Sequence, residues 1–310
     1  LATNEGVIKF QSDTQQLSSY STYSSLPIIG NEVRSIIADH KGRLWFATTT
    51  GISVLDQKDD TIFSYSDDNK LNFGLENSWF LKVYKDSKDT LWLGTYSGGV
   101  DKHTPQATRI ELFQKNTGSN SLSGNNIWGI AQDSNDRIWI ATQSNGLSEF
   151  NPKDYTFKQH LQDFSHSIWN LLIDKYDRIW VASSGGLFIY ELDSSGQLKL
   201  IKKLMADKNI EYIHNFGGRI WLKSFENQIQ SIDPDSLKFQ STTLSNDNIK
   251  TVDPVFLDSQ NNVWLVTSLG MMLYNLDTKQ VNQLILNFDD SIRYFSSVTE
   301  TNDAFWLSTL

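Results

Sequence analysis

Histidine and aspartate are the residue types in this 310-residue chain that could ligate a metal or transfer protons. None of the histidines has the H-x-x-x-H spacing of a zinc site, and the chain has no cysteine. One aspartate recurs at a single turn position of a repeat, so these carboxylates should lie too far apart to work as paired acid and base. The residues are His40, His103, His160, His166 and His214, and Asp39, Asp86, Asp133, Asp174 and Asp258. Without a G-x-S-x-G or Walker A motif, the sequence predicts no catalytic residue, no metal and no cofactor.

Three tryptophans outside the repeated motif are candidate ligand-binding residues. Trp79, Trp128 and Trp169 each lie at the start of a predicted first strand in consecutive repeats. Aromatic faces at a channel mouth are good stacking platforms for sugar rings. Strand alternation would also place Trp128 beside Ile130 and Trp169 beside Leu171, in buried rows, and burial is the commoner role of such side chains. Both interpretations stay open.

Charged residues occupy similar first-strand positions in other repeats. They are Arg34 and Asp253, with Arg293 close to the position of Phe295. Facing a channel, these side chains could hydrogen-bond hydroxyls or a carboxylate of a ligand. They could equally be solvated residues of an edge strand, and Pro254 favours this alternative because proline is tolerated best at an edge.

The elements that must position these residues are revealed by a repeated tryptophan. Successive motif tryptophans are 41 to 47 residues apart, which is long enough for one four-stranded propeller blade. Each lies within an apolar strand, where we expect it to fill the space between blades. The seven residues are Trp45, Trp92, Trp139, Trp180, Trp221, Trp264 and Trp306.

Each repeat predicts four strands and almost no helix. A first strand ends in an Asp-x-x-Gly-like turn, the tryptophan strand follows, and a Thr-x-x-Gly turn leads to the third and fourth strands. The last repeat, residues 292–310, has only its first two strands, whereas residues 7–10 and 17–20 match a third and a fourth. The sequence therefore predicts an all-β, seven-bladed β-propeller over residues 1–310, with its last blade closed by N-terminal strands. We expect this domain to be a fragment of a longer protein.

The repeated pattern Val-x-x-Ile-x-x-Asp-x-x-Gly-x-Leu-Trp, followed by Ala or Gly and Thr-x-x-Gly, resembles the two-component regulator propeller repeat. The match is best at residues 33–52, 80–100 and 127–147. The resemblance implies a periplasmic sensor domain of a bacterial inner-membrane receptor, followed by a β-sandwich, a membrane helix and a cytoplasmic output. That output would be a histidine kinase, often a hybrid one, or a diguanylate cyclase. Ligands in this family are frequently products of polysaccharide breakdown.

Charge and hydropathy limit the partners. With 27 Lys and Arg against 36 Asp and Glu, the net charge of −9 disfavours nucleic acid. No apolar run approaches the roughly 20 residues of a membrane span, so we expect membrane attachment only through a downstream helix. The preferred hypothesis is a sensor that binds a small molecule or an oligosaccharide and signals as a homodimer. The alternatives are a propeller enzyme, such as a glycan lyase or hydrolase, and a scaffold for protein contacts.

Overall fold

A computed structural model describes residues 6–11, 13–14, 16–66, 79–105, 110–224, 227–283, 295–302 and 304–309. These residues form 28 strands in seven antiparallel four-stranded sheets, and the described part of the chain contains no helix. The predicted all-β class and seven-bladed propeller are therefore confirmed. Nothing helical in that part has the length and apolar character of a membrane span.

Each sheet is one blade, and in blades 1 to 6 the strands follow chain order from the channel outwards. Blade 1 contains β3 (Val33–Ala38), β4 (Leu44–Thr48), β5 (Gly51–Asp56) and β6 (Thr61–Tyr65). Blade 2 contains β7 (Phe80–Lys85), β8 (Leu91–Thr95), β9 (Val100–His103) and β10 (Glu111–Phe113). Blade 3 contains β11 (Ile127–Gln132), β12 (Ile138–Thr142), β13 (Leu147–Asn151) and β14 (Thr156–His160). Blade 4 contains β15 (Ile168–Ile173), β16 (Ile179–Ser183), β17 (Gly186–Leu192) and β18 (Leu198–Leu204).

The remaining blades complete the ring. Blade 5 contains β19 (Ile213–Phe216), β20 (Arg219–Leu222), β21 (Gln228–Asp233) and β22 (Lys238–Thr243). Blade 6 contains β23 (Val252–Leu257), β24 (Asn262–Thr267), β25 (Gly270–Asn275) and β26 (Val281–Gln283). Blade 7 combines β27 (Phe295–Glu300) and β28 (Phe305–Thr309) with β1 (Val7–Gln11) and β2 (Gln16–Tyr20). Its N-terminal strand β1 pairs antiparallel with β28, as the two ends of the sequence predict.

The first strand of each blade lines a central channel. These inner strands contact their neighbours in ring order from blade 1 to blade 7 and back to blade 1. Each inner strand is one edge of its sheet, so only the ring arrangement covers it. Residues near the start of every inner strand therefore converge on one mouth of the channel, which we call the channel mouth.

The motif tryptophans lie in the core between blades. Trp139, for example, is fully buried and packs with Ile168 and Val181 of the next blade. All seven motif indoles are at most 2% exposed. In five blades the indole Nε1 donates a hydrogen bond of 2.8 to 3.0 Å to the turn aspartate of the motif. The repeated Asp and Trp are therefore one structural unit, joined across the hairpin.

Candidate functional site

A bulge shapes the start of the inner strand in several blades. In blade 3, Ile127 pairs with Thr142 and Gly129 pairs with Ala141, so Trp128 is an extra residue outside the ladder. Trp169 of blade 4 occupies the same bulge position. A bulge changes the direction of its extra side chain, so alternation along the strand no longer assigns that side chain to one face.

Trp128 and Trp169 contact each other at the channel mouth. Their ring centroids are 5.2 Å apart and the ring planes meet at 75°, which is an edge-to-face arrangement. Both side chains are half-buried. Trp128 Nε1 donates to Asn126 Oδ1 at 3.0 Å, and Trp169 Nε1 donates to Asn209 Oδ1 at 2.7 Å. The hydrogen bonds hold both indoles in place while part of each ring remains accessible.

The structure corrects the expected equivalence of Trp79 with these two residues. Trp79 precedes β7, and its carbonyl accepts from Tyr96 N–H as the carbonyl of Asn126 accepts from Gln143 N–H in blade 3. Trp79 therefore lies two residues before the position equivalent to Trp128, because the bulge position of blade 2 holds Leu81. It is 44% exposed and stacks on the Tyr96 ring at a centroid distance of 4.5 Å. These two rings form an aromatic pair separate from Trp128 and Trp169.

Arg34 and Asp253 are not equivalent to each other either. Arg34 is the bulge residue of blade 1, whereas Asp253 pairs with Val266 one register step further along its strand. The bulge of blade 6 comes later, at Val255, so the two charged residues lie at different depths. Arg34 hydrogen-bonds Glu32, while its buried Nε has no partner among the described residues. The predicted residue Arg293 lies outside the described residues.

Two charged residues that sequence reasoning missed, Glu211 and Lys223, connect Asp253 to Trp169 and Trp128. Asn209 Nδ2 donates to Glu211 Oε1 at 3.3 Å. Lys223 Nζ lies 3.5 Å from Glu211 Oε2 and 3.8 Å from Asp253 Oδ2. Lys223 replaces the Ala or Gly that follows the motif tryptophan by two residues in blades 1 to 4, and this substitution is the signal that could have revealed it.

Together these side chains form a continuous polar and aromatic surface over blades 3 to 6. We call it the mouth arc. In order around the mouth, it consists of Gln143, Asn126, Trp128, Trp169, Asn209, Glu211, Lys223 and Asp253. It presents the edges of two indole rings beside neutral, positively charged and negatively charged hydrogen-bonding groups. Such a combination can bind a ligand that has both an apolar face and polar groups.

Burial perturbs the acid at the end of the mouth arc. Removal from solvent, aided by the Glu211 carboxylate and opposed by Lys223, raises the pKa of Asp253 to about 6. One oxygen of Asp253, Oδ1, is buried and has no partner among the described residues. Asp253 is thus the least satisfied carboxylate of the arc, and a ligand donor could pair with it.

The described residues offer no competing site at the mouth. Within the described ranges, no group of three or more His, Cys, Asp or Glu residues could hold a metal ion. A cavity of about 530 Å³ lies between blades 7 and 1, near Tyr20, Lys41 and Trp306. It adjoins the turn between β3 and β4, at the end of the ring opposite the channel mouth.

Comparison with known proteins finds a family model that matches two of the repeats. The family model described as "two component regulator propeller" matches residues 27–50 and 121–144, one segment in each of two repeats. No curated protein matches the chain.

Several solved structures share the fold. Virginiamycin B lyase from Staphylococcus aureus is 13% identical with a TM-score of 0.67, and the match covers 90% of this chain and 94% of the lyase. The extracellular domain of the hybrid two-component system BT3049 from B. thetaiotaomicron is 19% identical with a TM-score of 0.53, over 98% of this chain and 47% of that one. PorZ, a surface component of the type-IX secretion system of Porphyromonas gingivalis, is 13% identical with a TM-score of 0.68, over 95% of this chain and 48% of PorZ.

At these identities the solved structures support the fold alone, and the chain spans about half the length of the BT3049 domain and of PorZ. The matched segments contain the Asp and Trp that the structure joins in one hairpin. The chain is a seven-bladed β-propeller, and two of its repeats match the two-component regulator propeller model.

Proposed function

We propose that this propeller is the extracytoplasmic sensor domain of a bacterial membrane signalling protein, located in the periplasm. The repeat family supports this role, and so does the similarity in fold to the extracellular domain of a hybrid two-component system. The output would be a histidine kinase or a diguanylate cyclase in another part of the parent protein. The propeller would bind a ligand without transforming it.

The proposed ligand is a small polyhydroxylated molecule such as an oligosaccharide fragment, bound at the mouth arc. The observation that carries this proposal is the Trp128 and Trp169 pair, held by Asn126 and Asn209 with both rings partly accessible. Sugar rings combine an apolar face with hydroxyls, and the arc offers partners for both. Trp79 and Arg34 remain predicted ligand residues beside this surface, and Arg293, outside the described residues, remains a predicted ligand residue as well.

Signalling would require the ligand to favour one of two arrangements of a receptor homodimer. Only a difference in affinity between those arrangements can be transmitted to an output domain. A binding site at the mouth of a rigid ring is suited to this role, because a ligand bound there can also contact a second subunit or a neighbouring domain.

The test is calorimetric titration of the purified domain with an oligosaccharide panel. We expect Trp128→Ala and Trp169→Ala each to weaken binding of a positive ligand about tenfold or more, since one aromatic contact contributes about 1.4 kcal/mol. Phe239→Ala is the matched control, because Phe239 is 46% exposed on the outer strand β22. Unchanged affinity in both tryptophan variants, with cooperative unfolding intact, would place the ligand elsewhere.

A propeller enzyme is the second candidate function. Glu211, Lys223 and Asp253 lie together beside Tyr212, and burial raises the pKa of the Tyr212 hydroxyl. Such a group of acids and bases could transfer protons in a lyase or hydrolase reaction. Sustained product formation from a glycan panel, lost in Lys223→Met, would favour the enzyme. Stoichiometric binding without product would favour the sensor.

A further inference from the structure

The cavity between blades 7 and 1 is built around the last motif tryptophan. Its volume is about 530 Å³, and it lies at the end of the ring opposite the channel mouth. Trp306, Tyr20 and Lys9 line it from blade 7, and Ala38 and Leu55 line it from blade 1. Blade 7 combines β1 and β2 with β27 and β28, so the cavity lies where the ring closes.

In three other blades an arginine covers the motif tryptophan. The guanidinium groups lie 5.7 to 5.9 Å from the indole centroids. The three residues, each two positions before its tryptophan, are Arg43, Arg137 and Arg178. Blade 7 has the buried Ala304 at this position, and Thr301 replaces the turn aspartate. Thr301 N–H donates to the Ala304 carbonyl at 2.8 Å, as Asp133 N–H donates to the Arg137 carbonyl at 3.1 Å.

The next strand of blade 7 reverses a charge relative to blade 3. In blade 3, Glu149 pairs with Trp139 across the ladder and accepts from Arg137 Nη1 at 3.0 Å. In blade 7, Lys9 pairs with Trp306 in the same way, and its ammonium group lies 5.2 Å from the indole centroid. A lysine thus replaces the acid, and a methyl group replaces the cation. An anion supplied by a ligand would restore the ion pair with the charges exchanged.

The rest of the lining combines an apolar wall with further positive charge. The Tyr20 and Trp306 ring centroids are 5.3 Å apart, and Leu55 lines the cavity from the opposite blade. Lys41 and Lys58 belong to exposed turns of blade 1 that line the same cavity. Neither of these two ammonium groups forms an ion pair within the described residues.

The acidic residues of the lining are engaged by the protein or exposed. Glu300 Oε1 and Oε2 accept from Ser259 Oγ and N–H of blade 6, at 2.7 and 2.9 Å. Asp56 Oδ1 accepts from Lys58 N–H at 3.0 Å within its own turn. Asp60 is exposed on that turn. The lysines are therefore the charged groups of the lining that best suit a ligand.

We propose that this cavity binds a small organic carboxylate, with its apolar body against Tyr20 and Leu55 and its anionic group beside Lys9. Such a ligand would contact blades 7 and 1 together and would stabilise the closure of the ring. The site shares no residue with the mouth arc and lies at the other end of the propeller. Either proposal can therefore fail without the other.

The first experiment is anomalous diffraction from crystals soaked in 4-bromobenzoate. We expect a bromine peak inside the cavity of the wild type. Ala304→Met should remove the peak, because it fills the space over Trp306 without adding charge. Lys199→Met is the matched control on the outer strand β18, where Lys199 is exposed, and it should retain the peak. A wild-type cavity without bromine would overturn the proposal.

Thermal unfolding and calorimetric titration test the same site in solution. Benzoate should stabilise the wild type more than its neutral analogue benzamide, because only the folded state offers the site and Lys9 requires an anion. Lys9→Met should weaken benzoate binding about tenfold or more, since a hydrogen bond to a charged group contributes at least this factor. Lys9→Arg should largely restore binding.

Trp128→Ala separates this site from the mouth arc. Benzoate should bind this variant as it binds the wild type, because Trp128 lies at the other end of the ring. The proposal is wrong if benzamide stabilises the protein as well as benzoate does, or if Lys9→Met binds benzoate with wild-type affinity.

Discussion

At the scale of single residues, the turn aspartate organises each hairpin through several donors at once. Asp133 accepts from the backbone N–H groups of Asn135 and Arg137 at 2.9 and 3.0 Å. Its second oxygen accepts from Arg137 Nε at 2.7 Å and from Trp139 Nε1 at 2.9 Å. The Arg137 guanidinium also lies over the Trp139 ring, 5.7 Å from its centroid. One buried carboxylate thus caps the turn, pairs with a cation and satisfies the indole.

Replacement of this aspartate should be costly. Asp133→Ala leaves the buried Trp139 indole N–H and the Nε–H of Arg137 without their acceptor, so we expect the free energy of unfolding to fall by about 2–4 kcal/mol. Urea unfolding of the purified domain measures the change. Asp163→Ala, at an exposed position, should change stability by less than about 0.5 kcal/mol. Similar losses in the two variants would show that the hydrogen bonds of Asp133 contribute little.

Two blades show that the indole needs an acceptor but not always an aspartate. Trp221 Nε1 donates to the Phe216 carbonyl at 2.9 Å, and Trp306 Nε1 donates to Thr301 Oγ1 at 3.3 Å. These are the repeats in which the sequence pattern is weakest. The fold tolerates their divergence because the backbone or a hydroxyl group satisfies the same buried donor.

At the scale of elements, the inner strands determine which side chains reach the channel. Their bulges place Trp128 and Trp169 outside the ladder, and close packing between blades 3 and 4 depends on Gly129. The nearest atoms to a Cβ at that position would include the backbone nitrogen of Leu171, which cannot move without disturbing β15.

A methyl group at Gly129 should therefore separate two blades. We expect Gly129→Ala to destabilise the domain by about 1–3 kcal/mol through overpacking. Chemical denaturation gives the value. The matched variant Gly118→Ala has only the Asn116 side chain near its new Cβ, at 3.2 Å, and should be nearly neutral. A Gly129→Ala protein as stable as the wild type would mean that the inner strands can shift apart at little cost.

At the scale of the whole molecule, two titrating groups in and around the channel act on stability in opposite directions. Burial and the Lys82 charge lower the pKa of His214 to about 3, so between pH 3 and 6.5 the unfolded chain binds more protons and acid destabilises the fold. Burial raises the pKa of Asp253 from 3.8 to about 6, so the folded state binds more protons in that window. The stabilising contribution of Asp253 is present below pH 3.8 and is lost as the pH rises through 6.

Neutralising Asp253 should therefore stabilise the protein only where this residue is ionised. We expect Asp253→Asn to raise the free energy of unfolding by about 1–3 kcal/mol at pH 7.5 and to leave it nearly unchanged at pH 4. Lys223 keeps a partner in Glu211, 3.5 Å away. Urea unfolding at both pH values is the measurement, with Asp163→Asn as the control. A less stable Asp253→Asn protein at pH 7.5 would mean that its pairing with Lys223 outweighs desolvation.

The repeat pattern alone predicts the ring, its seven blades and the pairing of the chain ends. The reason is that each repeat has an apolar face that only a neighbouring copy can bury, and this pattern recurs along the chain. Turn aspartates and motif tryptophans were also recognisable, because a hairpin brings them together within six residues.

The assembly of the channel mouth emerges only in three dimensions. Sequence position suggested that Trp79 is equivalent to Trp128, but the bulge residue of blade 2 is Leu81, two residues after Trp79. The pairing of Lys223 with Glu211 and Asp253 depends on which blades meet and on the depth of each strand. Such distances between remote parts of the chain follow from register and ring closure, which local pattern does not specify.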